Sequence, residues 1–279
     1  MKLKIKISIL LIGLFLFNIS SVIAQKSVQL RYNLNKGDHY VFVSDISQEI
    51  SFDAMGATTT LEQVMMFEMS SVVTKIEGDN ISEDYVFERV KMDQKIFGME
   101  IKYDSDDSST FTGMGAQVAE QMNKIIGAQI EIMKDNRGNL IDMDLSGFTE
   151  NSDLMNNLSS GNSHAVYPED KVKVGDTWET DINPMEDSEM RVHVVYTLLK
   201  VSRKHVELGV AGTVSANEIE GKDITLNGST AGTMIVDKKT GMLISSTIDL
   251  DMAMNLDQGG ATIPATIMGT TETKVRKVD

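Results

Sequence analysis

The residues best placed to do chemistry in this chain are paired acids. Asp249 and Asp251 alternate along one stretch, and Asp142 and Asp144 along another. Two carboxylates on one strand face are the apparatus of glycoside hydrolysis, one acting as acid and the other as base or nucleophile. With 41 Asp and Glu against 26 Lys and Arg, such pairs are equally the wet face of an ordinary strand. Other constellations fail on type or spacing. There is no cysteine, which removes thiol catalysis and disulfide staples together. Gly228-Ser229-Thr230-Ala231-Gly232 places its serine one position early for a nucleophile elbow. His193 and His205 are the close pair among four histidines. With Ser202-Arg203 as the turn, Val201 pairs with Lys204 and His193 lies opposite Gly212. That leaves the two imidazoles seven strand positions apart, roughly 23 Å, too far to share a metal. Asp104 to Ser109 is acidic, but a calcium loop needs glycine sixth and glutamate twelfth, where Ser109 and Gly115 stand. Gly113-x-Gly115 lacks the third glycine of a nucleotide fingerprint. The sequence therefore assigns no catalytic residue, no metal ligand and no cofactor.

What must position any site is a set of long alternating strands. Two short stretches organise them: Lys36-Gly37-Asp38-His39-Tyr40 and Val174-Gly175-Asp176-Thr177-Trp178, in which Gly37 and Gly175 stand 138 positions apart. Glycine takes the positive-φ turn conformation and aspartate closes the turn onto the backbone. Tyr40 and Trp178 are then the inward-facing residues that open a strand. After Tyr40 one parity carries Phe42, Ile46, Ile50 and Phe52, and the other Asp45, Ser47, Glu49 and Asp53. A period of two describes a half-buried strand. The same alternation runs through 58–76 with Leu61, Met65, Phe67, Met69 and Val73 on one face. It continues through 82–92 and 95–103 after a Glu77-to-Asn80 turn, through Val192, Val194, Tyr196 and Leu198, and through 206–214. It closes with Met242, Ile244, Ile248, Leu250, Met252, Met254 and Leu256, and a final strand over 262–275.

Between Gly113 and Ala128 the period changes. Met114, Val118, Met122, Ile125 and Ile126 fall at helical spacing, which predicts an amphipathic helix over about 113–128. The turns Asp135-to-Gly138 and Asp237-to-Gly241 answer one another, 101 residues after Gly37 and 66 after Gly175. The fold expected is mainly β: long antiparallel curled sheets built from two related halves, with that helix packed on the sheet. The halves are 25–146, carrying the helical insertion, and 167–279, joined by a connector over 147–166 with a helical turn near Leu154–Leu158.

The first residues belong to no fold. Lys2, Lys4 and Lys6 precede an apolar run from Ile7 to Phe17, and Val22-Ile23-Ala24 supplies the small residue before cleavage. This is a secretory signal peptide, cut near Ala24, with an apolar run too short for a membrane span. The expected location is periplasmic or extracellular, with no transmembrane segment. Losing the leader takes the formal charge from -15 to -18. So acidic a surface repels phosphate backbones, which excludes nucleic acid as a partner. Nineteen methionines against nine phenylalanines and one tryptophan either fill an irregular core or line a surface that adapts to varied apolar ligands.

With its signal peptide, Gly-Asp-x-Trp/Tyr strand openings and Asp-x-x-Gly hairpins, the chain resembles secreted proteins of Gram-negative bacteria grouped as a domain of unknown function. Tyr167-Pro168 with Val174-to-Trp178 is the most specific match. In architecture alone it is similar to the half-barrel periplasmic lipoprotein carriers. That likeness implies a concave apolar surface able to hold acyl chains, with a lipid or another envelope protein as partner. The expectation is a non-enzymatic protein binding an apolar ligand between sheet and helix, lined by Tyr40, Phe42, Met114, Met122, Met242, Met252 and Met254. Gly37, Asp38, Gly175, Asp176 and Trp178 have a structural role. The alternatives are a ligand-free interaction module and a carboxylate-dependent hydrolase.

Overall fold

The computed structural model describes residues 27–54, 57–145, 164–182, 190–219, 222–258 and 261–278. The expected signal peptide, the expected turn at Met55-Gly56 and the expected helical turn at Leu154–Leu158 lie outside the described residues. The strands are β1 (His39–Ala54), β2 (Ala57–Glu77), β3 (Asn80–Ile96), β4 (Met99–Asp104), β5 (Gln129–Asp135) and β6 (Leu140–Asp144), then β7 (Thr177–Ile182), β8 (Arg191–Val201), β9 (His205–Ile219), β10 (Lys222–Asp237), β11 (Leu243–Gln258) and β12 (Ala261–Val278). They form one open antiparallel sheet in the order β6-β5-β3-β2-β1-β12-β11-β10-β9-β8-β7, with β4 paired to the far half of β3. Neighbours in this order are also neighbours in sequence except where β3 meets β5 and where β1 meets β12, and β6 and β7 stand at its two ends.

The alternation read from the sequence sets the faces. Tyr40, Phe42, Ile46 and Ile50 share the inner face with their cross-strand partners Ser71, Met69, Met65 and Leu61. Bulges keep the apolar parity inward where the count slips. One falls at Leu198–Lys200 and another at Ile235–Val236, each adding a residue that turns outward. Two expectations change as a result. Ile244, the extra residue of the second bulge, is exposed rather than inward. His193 pairs with Thr213 rather than Gly212, because Val201 pairs with Val206 and the turn closes from Ser202 to His205. The strand break expected near 93–94 is absent as well. β3 runs on to Ile96 and turns at Phe97-Gly98.

Curling of the sheet follows from one short segment. His164 Nε2 meets the Tyr85 hydroxyl of β3 at 2.6 Å, while the Val166 amide reaches the Tyr196 hydroxyl of β8. β3 and β8 are seven strands apart in the sheet order, roughly 34 Å if the sheet were flat. Residues two apart can touch both only if the sheet bends round. Glycines allow the bend. A Cβ on Gly232 would stand 2.0 Å from the Thr247 carbonyl oxygen and one on Gly269 2.7 Å from that of Ser47, so only glycine fits where neighbouring strands coil so closely.

Segment 164–168 and an extended segment over 27–36 close one end of the curled sheet. Val28, Leu30, Tyr32 and Leu34 of the latter alternate into the core. Tyr32 N–H donates to Asn136 and Asn33 N–H to Thr240, so this segment is pinned to both Asp-turn hairpins. The Gly-Asp turns are built alike. Asp38 and Asp176 accept from the Asn35 and Lys173 amides, and the Gly37 and Gly175 amides donate to Val73 and Leu198 on the neighbouring strand. The helix, α1 (Met114–Met122), is shorter than expected and continues as turns to Gly127. Gly115 fits its backbone against β4, where a Cβ would meet the Thr110 and Lys102 carbonyls.

The Phe97-Gly98 turn has positive φ at both residues, 52° and 75°, and the phenylalanine is 68% exposed. An aromatic side chain is strained there, where asparagine is at ease. Phe97→Asn is expected to raise stability by about 1 kcal/mol, read as a shift of roughly 2–4 °C in a thermal melt.

Candidate functional site

The inner face divides into a filled end and an open half. In the filled end the titratable groups are enclosed. Glu83 and Lys134 form an ion pair at 2.5 Å with 0% and 2% side-chain exposure. Ser71 donates to Glu83, and the Lys134 ammonium lies 4.2 Å from the centre of the Tyr32 ring. Burial pushes the Glu83 carboxyl up, but Lys134, His164 and Ser71 outweigh it and hold it below its ordinary value. Burial and then the Lys134 charge push the His164 imidazole down to about 3. Rings of Tyr32, Phe42 and Tyr85 surround that imidazole. The cluster joins sheet to cap and has no surface for a substrate.

The acids weighed for hydrolysis are elsewhere. Asp249 and Asp251 lie exposed on the convex face, where Asp249 accepts from Thr270. Asp142 and Asp144 are exposed on edge strand β6. The Asp104 loop is structural. Asp104 takes two bonds from Arg89 and one from Lys91, the guanidinium first among the causes that hold its carboxyl well below the usual range. Among the described residues no three His, Cys, Asp or Glu side chains group as metal ligands do.

The open half is the feature with capacity. Cross-strand partners define rows across the inner face. The mouth row runs Ile182, Val192, Val214, Gly228, Met252, Ile267, Ile50, Leu61 and Ile96. The next row inward is Thr180, Val194, Gly212, Thr230, Leu250, Gly269, Gln48, Gln63 and Gln94, over the same strands. A third holds Trp178, Tyr196, Val210, Gly232, Ile248, Thr271, Ile46, Met65 and Met92. Not one Asp, Glu, Lys, Arg or His stands in these rows. Ile46, Ile50, Leu61, Met65, Ile248, Leu250, Met252 and Ile267 are only half-buried. The charges lie on the other parity, at Asp45, Glu49, Glu62, Asp93, Asp249 and Asp251. A shallow depression of about 540 Å³ crosses β2, β1, β12 and β11, where Glu49, Glu62 and Asp251 line it together with Gln48, Gln63, Val64, Leu250, Met268 and Gly269. Those carboxylates suit it poorly to an uncharged chain.

The expected ligand-lining set is split by the structure. Tyr40, Phe42 and Met242 are packed solid in the filled end, and Met122 is buried beneath α1. Met114 points to solvent with 43% exposure. Met252 and Met254 are half-buried and pack against a second buried cluster formed by Met190, Ala216 and Leu226. The helix packs down on β4 and does not roof the trough. Trp178 is inward as expected, and its indole N–H donates to the Val166 carbonyl. The half-buried rows at Ile46, Ile50, Leu61 and Ile267 were legible as a parity but not as open. The glutamine row carried no sequence signal that would separate it from a wet face.

A family of unknown function, DUF6263, matches residues 156–243, which include the second Gly-Asp turn and the strands from β7 to β10. No curated protein matches the chain. Among solved structures, lipovitellin, in a study of its lipid–protein interactions, is similar over 87% of this chain at TM-score 0.53 and 10% identity. The chain spans only 25% of lipovitellin's length. An outer membrane channel from Pseudomonas putida F1 aligns over 88% of this chain and 97% of its own, at TM-score 0.27 and 10% identity. The lipovitellin likeness is one of fold.

Two predictions follow from the enclosed cluster. Glu83→Leu strands a buried ammonium and should cost 3–5 kcal/mol, on the order of a disrupted buried pair, in urea unfolding; Glu83→Leu with Lys134→Met should cost far less. A carboxyl held below its ordinary pKa stabilises at higher pH and loses that stabilisation as pH falls through its folded value. A histidine kept neutral in the fold but protonated in the unfolded chain likewise destabilises as pH drops below roughly 6.5. Stability should therefore decline from there at up to about 1.4 kcal/mol per pH unit per group. His164→Gln should flatten the melt-against-pH curve between roughly pH 6.5 and 4.5, leaving the Glu83 share below that.

Proposed function

We propose that this protein holds an apolar molecule, a lipid or the acyl chains of a lipoprotein, in the open half of its inner face, and does so without transforming it. The observation that carries this is the pairing of an uncharged inner surface, three rows deep across nine strands, with apolar side chains left half-exposed on it. Exposed apolar surface of that extent marks a binding site in a folded protein. The alternation has the opposite sign to that of a membrane-spanning barrel, whose outer wall is apolar. Here Asp45, Glu49, Asp93 and Asp249 are on the outer wall. The fold shared with lipovitellin, a lipid-associated protein, supports the same reading. So does the secretory leader, which would place the protein in the periplasm or outside the cell, where envelope lipids and lipoproteins are at hand.

The reading is tested by native mass spectrometry of protein purified gently from cells. Wild type should carry a lipid-sized additional mass, and Met252→Lys, which puts a charge in the mouth row, should lose it while keeping the same melting temperature within a few degrees. A bare polypeptide mass for wild type, together with no uptake of the apolar fluorophore 1-N-phenylnaphthylamine, would sink the proposal in favour of a ligand-free interaction module. Asp249→Asn with Asp251→Asn should leave the bound mass unchanged, since both carboxylates are on the far face.

A further inference from the structure

Charge on this acidic protein is sorted between its ends. At the capped end the β8–β9 turn carries Arg203 and Lys204, and the β10–β11 turn carries Lys238 and Lys239. The Lys238 amide donates to the Lys204 carbonyl at 2.8 Å, so the two turns stand against each other. Lys200 lies just inside them on the outer face of β8, and Lys274, opposite Ser245, extends the basic edge to β12. All six are exposed, and none has an ion-pair partner among the described residues. Asp237 is spent within its own turn on the Lys239 and Thr240 amides, and Glu207 faces Lys200 across the strands. Farther along this end, Glu169 and Asp170 are matched by Lys171 and Lys173. Beyond Glu207 the outer face of β8 to β10 holds no acid for two rows, which read Thr197, Gly209, Thr233 and then Val195, Ala211, Ala231. On β12 and β11 the first acids toward the mouth are Glu272 and Asp249.

Aliphatic side chains stand among these cations. The bulge at Leu198–Lys200 turns Leu199 outward beside Lys200, 43% exposed, and the bulge on β11 turns Ile244 outward, 38% exposed. A polar residue would close either bulge equally well and would be better solvated. Ile235, in register with Glu207 and Ser245, lies between them on β10. From β8 to β11 is three strand spacings, about 14 Å. Flexible ammonium groups around aliphatic ones suit the interface of an anionic bilayer, where the cations meet phosphates and the aliphatic chains enter among the headgroups. Single-stranded nucleic acid would want aromatic platforms, and the outward hydrophobic residues here are aliphatic. The acidic net charge does not oppose such docking. Physiological salt screens exposed charges beyond about 8 Å, so contact is decided by the local patch.

We propose that this basic rim docks the protein on an anionic bilayer surface, with Arg203, Lys204, Lys238 and Lys239 at the phosphates and Leu199 and Ile244 among the headgroups. The assignment is independent of what the inner face holds. It is tested by co-sedimentation of the protein with phosphatidylcholine vesicles, pure or containing phosphatidylglycerol. Wild type should bind the anionic vesicles at least about tenfold more tightly than the neutral ones, and less tightly as salt rises. Lys238→Glu with Lys239→Glu should weaken that binding by about tenfold or more. Leu199→Ser with Ile244→Ser should weaken it about fivefold and leave its salt dependence unchanged. Lys95→Glu with Lys102→Glu makes the same change in net charge on exposed side chains toward the mouth and should alter nothing. All three variants should melt within a few degrees of wild type. Equal binding to neutral vesicles, or an equal loss from the Lys95 and Lys102 pair, would overturn the proposal. So would a protein that ignores both kinds of vesicle, whether or not it retains polyglutamate or an oligonucleotide. The apolar-ligand reading survives each of these outcomes.

Discussion

The strap over 164–168 holds this sheet in its curled form, and most of the polar groups of its backbone are taken by the sheet, its turns and the 27–36 segment. The Ala165 carbonyl accepts from the Tyr32 hydroxyl, and the Val166 carbonyl from the Trp178 indole. The Val166 amide goes to Tyr196, and Tyr167 exchanges amide and carbonyl with Arg137. Pro168 has no amide to satisfy, and its carbonyl takes the Arg31 guanidinium. An irregular segment can be buried only when such groups are all paired. Because the donors come from both flanks of the sheet, satisfying the strap forces the flanks together. Tyr32, Tyr196 and Trp178 are therefore placed for their polar tips as much as for their rings.

The second constraint is that a pleated strand cannot move a side chain from one face to the other without a bulge. Across nine strands the parity is kept well enough that no charge enters the three inner rows. At the filled end the same inner face is covered by the two extended segments and by α1, and Tyr167, Leu198, Val206 and Leu208 are almost wholly removed from water. The covering material stops there among the described residues. The fold thus combines a densely packed base with a wall that continues beyond it, part of which closes on a second buried cluster of Met190, Ala216 and Leu226.

Much of this was legible from side-chain order. Strict alternation gave the strands and their faces, as at Tyr40 to Phe52, because two-fold periodicity survives without knowledge of partners. The Gly-Asp turns were legible because few residues tolerate their backbone. Depth was not legible. Tyr40 and Met252 share a pattern, yet one is sealed beneath the cap and the other stands near the mouth, and only the path of the strap decides which. Segment 27–36 went unread although Val28, Leu30, Tyr32 and Leu34 alternate cleanly, since a lone extended stretch between a leader and a strand has no turn to announce it. The Glu83–Lys134 pair was hidden for the opposite reason. In so acidic a chain, a glutamate beside a turn looks like surface. The bulges that displaced Ile244 and re-registered His193 depend on the neighbouring strands, which no local window contains.

The seam between β1 and β12 has a bearing on how the molecule comes to exist. Asp38 and Lys277, joined across it, are 239 positions apart, while nearly every other strand meets a neighbour made moments earlier. Each half can zip up along its own hairpins, but β1 keeps a bare hydrogen-bonding edge, with Phe42, Ile46 and Ile50 beside it, until its distant mate has been delivered. Contacts so remote along the chain form slowly, and unpaired edges invite the wrong company in the interval. A chain without cysteines has no covalent latch to shorten that wait, so the late arrival of one strand governs the passage from a sticky pair of meanders to a finished sheet.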